Sequence, residues 1–167
     1  MLAVASPYLK RPGREFTGCA AGFVLVALIV AAVHATTPIT RGWWLVAYLI
    51  LVGGLSQLLL GPGLIVISER SGARSPSDRA MQAELVLWNV GTVTVAVADL
   101  ASMPAGVLVG SLLLLVALGA FLLLIRRVET TAQRPLTASI HGYKLLIAFL
   151  VGSTIIGAAL ARALPPH

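Results

Sequence analysis

Two carboxylates, Glu84 and Asp99, stand inside long apolar sequence, and three further polar side chains accompany the first of them: Gln57, Trp88 and Asn89. An acid, two amides and an indole could hydrogen-bond across helices, bind a small solute or carry a proton. Other chemistry finds little support. There is no HExxH, no Gly-rich phosphate loop and no nucleophile elbow. A haem of the bis-His kind needs two facing histidines, whereas His34 and His141 fall at opposite ends of their segments and His167 in the tail. The single cysteine, Cys19, excludes an internal disulfide and reads as a packing residue. We therefore expect no catalytic residue, no cofactor, no metal and no enzyme.

The elements that must position these groups follow from composition. Of 167 residues, 58% are hydrophobic and 11% charged, against about 25% charged in a soluble domain. Apolar runs of ~20 residues match the ~30 Å hydrocarbon core of a bilayer. The expected fold is all-α, a single domain of five transmembrane helices over residues 16–36, 43–68, 81–103, 105–125 and 143–164. The first run is too long for a signal peptide, and Val33-His34-Ala35 makes a poor cleavage site. Thr36-Thr37-Pro38 ends helix one, since the residue before a proline leaves the helical region. Trp43 and Trp44 open helix two as interfacial anchors. Gly61-Pro62-Gly63 predicts a break in helix two, as a kink or a helix end. Ser75-Pro76 resembles an N-cap followed by proline at the first helical position of helix three, with Asp78 in its first turn. Pro104 marks a short hairpin to helix four, and Arg126-Arg127 stops that helix.

Charge orients the bundle. Lys10, Arg11, Arg14, Arg70, Arg74, Arg79, Arg126, Arg127, Arg134 and Lys144 fall on one side of the five spans, Arg41 and Arg162 on the other. The positive-inside rule then predicts a multi-pass cell-membrane protein with a cytoplasmic N-terminus and an outside C-terminus. The net charge of +6 reads as this topology signal, so the lipid bilayer is the expected partner and nucleic acid is not.

A rise of ~1.5 Å per residue converts position into depth. Glu84 lies about 5 Å inside the cytoplasmic boundary, Asn89 about 12 Å and Gln57 roughly 9 Å. Gln57, Glu84, Trp88 and Asn89 thus form a candidate polar site in one layer. Gly53, Gln57 and Gly61 recur every four residues, a stripe expected to face that layer. The alternative is that these groups are glue between helices, with Glu84 snorkelling to the interface. Asp99 lies ~27 Å in, near the outer boundary, at the depth of His34 and on the side of Arg41 and Arg162. An outer ion-pair cluster competes there with separate solvated residues, and the second is preferred because exposed pairs are worth little. Gly18/Gly22, Gly106/Gly110 and the Ser153, Gly157, Ala161 stripe predict close packing, within the chain or between copies.

The segment Gly53-Gly54-Leu55-Ser56-Gln57, with Gly61 after it, resembles the Gly-Gly-Ile/Leu-Ala-Gln segment of the bacterial acetate/succinate uptake transporters, the YaaH family. A basic loop and a helix with a Trp (here Trp88) follow in both. The resemblance covers about a quarter of the chain. The family's Asn-Pro-Ala-Pro-Leu-Gly-Leu signature has no counterpart, and the family looks six-spanning. The resemblance implies a pore-facing Gln57 and small monocarboxylates as substrates. The chain also looks like five-helix membrane proteins of actinobacteria, which implies no activity. Two functions are thus expected to compete: a passive or proton-coupled channel or transporter for a small solute, as a homo-oligomer, or a non-enzymatic accessory subunit of a larger membrane complex.

Overall fold

In lipid an apolar segment satisfies its backbone by becoming a helix, since no water is present to bond free N–H and C=O groups. The computed structural model describes residues 11–39, 41–134 and 136–163, with only the backbone for 160–163. It contains five long helices and, among the described residues, no strand. Helix α1 is Arg11–Thr36, α2 Gly42–Ser71, α3 Asp78–Leu100, α4 Pro104–Thr131 and α5 Thr137–Ala163. Each is long and apolar enough to cross a membrane. They run up and down in chain order. At one end the backbone N–H groups of Gln133 and Arg134 donate to the Ser71 carbonyl, which ties the α4–α5 loop to the end of α2. We call this the basic end, because it gathers Arg70, Arg74, Arg126, Arg127 and Arg134. Lys10 and the Pro165-Pro166-His167 tail lie outside the described residues, as does the Arg162 side chain.

Several helix limits differ from expectation, and the differences have physical causes. Helix α4 does not stop at Arg126-Arg127 but continues to Thr131. Arginine is a good helix former, and leaving lipid gives no reason to unwind. Beyond the stop, Glu129 pairs with Lys144 of α5 at 2.6 Å, and α5 itself starts at Thr137. The cap of α3 is Ser77, whose Oγ accepts the Ala80 N–H at 3.3 Å, and not Ser75. Pro76 precedes the cap and keeps Ser75 out of the helical region. Helix α3 ends at Leu100, earlier than residue 103. Ser102 adopts φ 54°, Met103 donates to the Ala98 carbonyl and Ser102 to that of Asp99, a Schellman closure before Pro104. Helix α2 closes the same way at Gly72, whose φ of 66° suits a residue without Cβ.

The helix does not end at 61–63. Residues Ser56–Ser71 form one α-helical stretch with Pro62 inside it. Proline removes one N–H, a loss that membrane helices absorb when neighbouring helices and side chains surround the backbone. The carbonyl that loses its donor is that of Leu58, four residues before the proline; two residues further on, Tyr143 of α5 donates its hydroxyl to the Leu60 carbonyl at 2.8 Å. The irregularity lies earlier: α2 is α-helical over Gly42–Tyr48, π-helical over Leu49–Leu55, and α-helical again from Ser56. Two adjacent glycines, Gly53 and Gly54, sit in the widened segment.

Packing is unequal between the two ends. At the basic end Phe16, Leu60, Leu64, Trp88, Leu118, Phe121 and Ile125 are all at most 1% exposed. The α3–α4 hairpin is the tightest pair. A Cβ on Gly110 would lie 2.8 Å from the Val95 nitrogen and 2.9 Å from the Gly91 carbonyl, so the two backbones touch. Gly106/Gly110 is thus an intrachain packing motif. Gly18 and Gly22 have nothing within 4 Å and face outward on α1. Helix α5 leans on α4 and α2 at the basic end through Ile140, Tyr143 and Ile147. Its opposite face is bare, with Phe149 72% exposed.

Candidate functional site

The π-helical segment of α2 organises the polar layer. Widening the turn perturbs the regular ladder, and backbone carbonyls here take side-chain donors. Ser56 Oγ donates to the Leu51 carbonyl at 2.8 Å, and Gln57 Nε2 to that of Gly53 at 2.5 Å. From α3 the Trp88 indole N–H reaches the Val52 carbonyl at 3.1 Å. Gln57 and Asn89 then exchange amide bonds, Nε2 to Oδ1 at 3.2 Å and Nδ2 to Oε1 at 3.4 Å. Asn89 Nδ2 also donates to the Leu85 carbonyl at 2.6 Å. The layer read from helix rise therefore brings Gln57, Trp88 and Asn89 into one α2–α3 seam.

Glu84 does not join them. It is 7% exposed, and its Oε2 has no hydrogen-bond partner among the described residues. The glycine stripe also divides. Added Cβ atoms on Gly53 and Gly61 would strike the Phe23 and Phe16 rings of α1, so both glycines receive α1. Gln57 alone turns to α3.

Above this seam lies a cavity of about 540 Å³ between α2, α3, α4 and α5. Val52, Trp88, Leu114 and Leu150 form its floor, and Arg41 and Asp99 stand at its mouth, at the end opposite the basic one. Small residues on α5 make the room: Ser153 and Gly157 of the predicted stripe line it, while the Ala161 side chain lies outside the described residues. Trp88 to Asp99 spans ~17 Å of helix, so the floor lies past the middle of the bundle. Gln57, Glu84 and Asn89 do not line this cavity; Trp88 does, and it joins the two regions. The resemblance to uptake transporters implied a pore-facing Gln57. In the structure that side chain is fully buried in the seam beneath.

The mouth corrects the reading of Asp99 as a separate solvated residue. Arg41 Nη1 lies 2.5 Å from Asp99 Oδ1, with the Asp99 side chain 11% exposed and that of Arg41 37%. Asp99 sits in the last turn of α3, where the helix dipole disfavours a carboxylate. Arg41, at left-handed φ 61° at the N-cap of α2, supplies the compensating charge. Asp99 Oδ2 is buried without a partner. His34 does not take part: its Nδ1 accepts the Ile39 N–H at 2.9 Å and its ring meets Trp43 edge-on at 5.2 Å. Trp43 points outward as an anchor, 65% exposed, whereas Trp44 stacks on Tyr48 at 5.1 Å beside the cavity.

Sequence reasoning missed Tyr48, Ser111, Ser153 and Thr154 as cavity residues. The available signal was spacing: Trp44, Tyr48 and Val52 repeat every four residues on one face of α2. Depth along the helices places Arg41 and Asp99 at one level; the enclosure of the Asp99 side chain is legible only in the fold. No known protein family, curated protein or solved structure matches the chain.

Proposed function

We propose that this chain is a multi-pass, non-enzymatic protein of the bacterial inner membrane that carries a small solute, of the monocarboxylate class, through the space beneath Arg41. The observation that carries this reading is the cavity of about 540 Å³ with a guanidinium at its mouth. Its size falls in the ~300–1,000 Å³ range of small-molecule sites, which combine apolar walls with a few placed polar groups. A solute carboxylate can replace Asp99 on the planar donor fork of Arg41, while Trp44, Tyr48 and Leu114 contact its carbon chain. Passage then requires Trp88 to leave the Val52 carbonyl, and the π-helical segment supplies a backbone with two hydrogen-bonding registers at that point. The charge asymmetry supports a cytoplasmic N-terminus and an outside C-terminus, so the cavity opens outward.

The test is flux in proteoliposomes with labelled short-chain monocarboxylates. Arg41→Ala should raise the KM for uptake, and Gln57→Ala should change the rate by loosening the seam. Unchanged flux in both variants sinks the assignment.

A second reading, an accessory subunit or self-associating chain, is favoured by the open Gly18/Gly22 face of α1. Mild extraction with native mass measurement separates the two: a stoichiometric foreign partner supports the accessory role, a homo-oligomer the transporter.

A further inference from the structure

We propose that Glu84 is a reversible proton-binding site, one helical turn beneath the cavity floor, whose loading is coupled to the solute step. The coupling rests on the transport reading above; the proton site itself does not.

The argument starts from what surrounds the carboxyl group. Glu84 is 7% exposed and its Oε2 is buried without a hydrogen-bond donor. The neighbouring donors are already committed. The Tyr143 hydroxyl, whose ring lies close enough to Glu84 for electrostatic interaction, donates to the Leu60 carbonyl at 2.8 Å. The Trp88 N–H is held by Val52, and the Gln57 and Asn89 amides by each other and by their own helices. Among the described residues, no cation forms an ion pair with it. The ion pairs Arg11–Glu15, Arg41–Asp99 and Lys144–Glu129 use other carboxylates. Residues 57–67 of α2 and 114–125 of α4 contain no titratable side chain. On α1 the titratable groups toward this end are Arg11, Arg14, Glu15 and Cys19; Arg11 pairs with Glu15 at 3.2 Å and Arg14 is exposed. From α5 the group that faces Glu84 is Tyr143.

A carboxylate with one oxygen enclosed and, among the described residues, neither counter-ion nor hydrogen-bond donor takes up a proton far more readily than one in water. Chemistry also sets its reach. Glu84 stands about 5 Å inside the basic boundary, within range of water from that side. Trp88 follows four residues later on the same face of α3, so the site and the floor of the cavity share one helix edge. Moving Trp88 off Val52 frees an indole N–H one turn from the carboxyl. An added donor favours the ionised form and releases the proton. The same motion opens the floor to the solute, and this links the two events.

Dicyclohexylcarbodiimide, an apolar reagent for protonated carboxyls in membranes, tests the site directly. The carboxyl O–H adds across a C=N bond, and the O-acylisourea rearranges to a stable N-acylurea, so the peptide gains the whole reagent mass. In wild-type protein in liposomes the label should map to Glu84 and fall as pH rises. Glu84→Asp should retain it and Glu84→Gln should lose it. An unlabelled Glu84 peptide at acid pH, or labelling indifferent to pH, overturns the proposal; because wild-type protein is read, a misfolded variant cannot obscure the answer. For coupling, an imposed pH gradient should speed monocarboxylate flux severalfold in wild type and not in Glu84→Gln. Wild-type flux indifferent to the gradient overturns the coupling. Absence of any flux beside pH-dependent labelling supports the proton site and overturns the transport reading.

Discussion

Removing Arg41 should destabilise the protein mainly through what it leaves behind. The Arg41–Asp99 contact is 2.5 Å long, with the carboxylate 11% and the guanidinium 37% exposed. Opposite charges with centres ~4 Å apart attract by about 4 kcal/mol at an effective dielectric of ~20 and about 1 kcal/mol in water. One partner is enclosed and the other reaches solvent, so the coupling falls between these limits, near ~2 kcal/mol. The α3 dipole opposes the Asp99 charge by up to about 1 kcal/mol whether or not Arg41 is present, so it cancels from the Arg41 change and is relieved only when Asp99 is neutralised. Arg41→Ala should therefore cost ~2 kcal/mol. Asp99→Asn should cost less, about 1 kcal/mol, because Arg41 can turn to water. In the Asp99→Asn background the Arg41→Ala change should cost under ~0.5 kcal/mol, which closes a double-mutant cycle. The assay is SDS-induced unfolding from mixed micelles, followed by helical circular dichroism. Equal costs for Arg41→Ala in both backgrounds, within ~0.5 kcal/mol, would refute a coupled, partly enclosed pair and return both residues to solvent.

Two other outcomes test the packing and the cavity. Gly110→Val places atoms against the Gly91 and Val95 backbone and should cost about 1–3 kcal/mol in the same unfolding assay, whereas a Cβ on Gly22 meets nothing within 4 Å and Gly22→Ala should be neutral; a loss at Gly22 marks that face as covered by another copy or a partner. In a Cys19→Ser background, Ser153→Cys should react with a membrane-impermeant thiol reagent added outside, while Ser68→Cys, at 0% exposure, should not. Reaction only from the cytoplasmic side reverses the orientation.

Part of this was legible before any fold was known. The five spans follow from run length, because a helix of about 20 residues matches the hydrocarbon thickness. The layer holding Gln57 and Asn89 follows from rise per residue, and the two amides do meet, at 3.2 and 3.4 Å. Pro104 sits at the start of α4 as its missing N–H allows. Helix ends outside the apolar runs were less legible, since Arg126-Arg127 leaves lipid without leaving the helix. Pro62 is a related case: it does not end the helix, because its effect depends on the neighbours around it, and α2 is the most enclosed of the five spans.

Depth along a span is thus a property of the sequence, because it needs only the pitch of a helix and the thickness of a bilayer. Azimuth is not. In water an apolar stripe points to the core, but in lipid the core and the surroundings are equally apolar, so a run such as α4 carries no signal for which face is covered. Tertiary packing alone turned Gly53 and Gly61 toward the α1 phenylalanines, Gln57 toward Asn89, and Asp99 toward Arg41. It also kept α5 away from α2 at one end, where Ser153 and Gly157 are too small to fill the gap, and so left the cavity above Trp88.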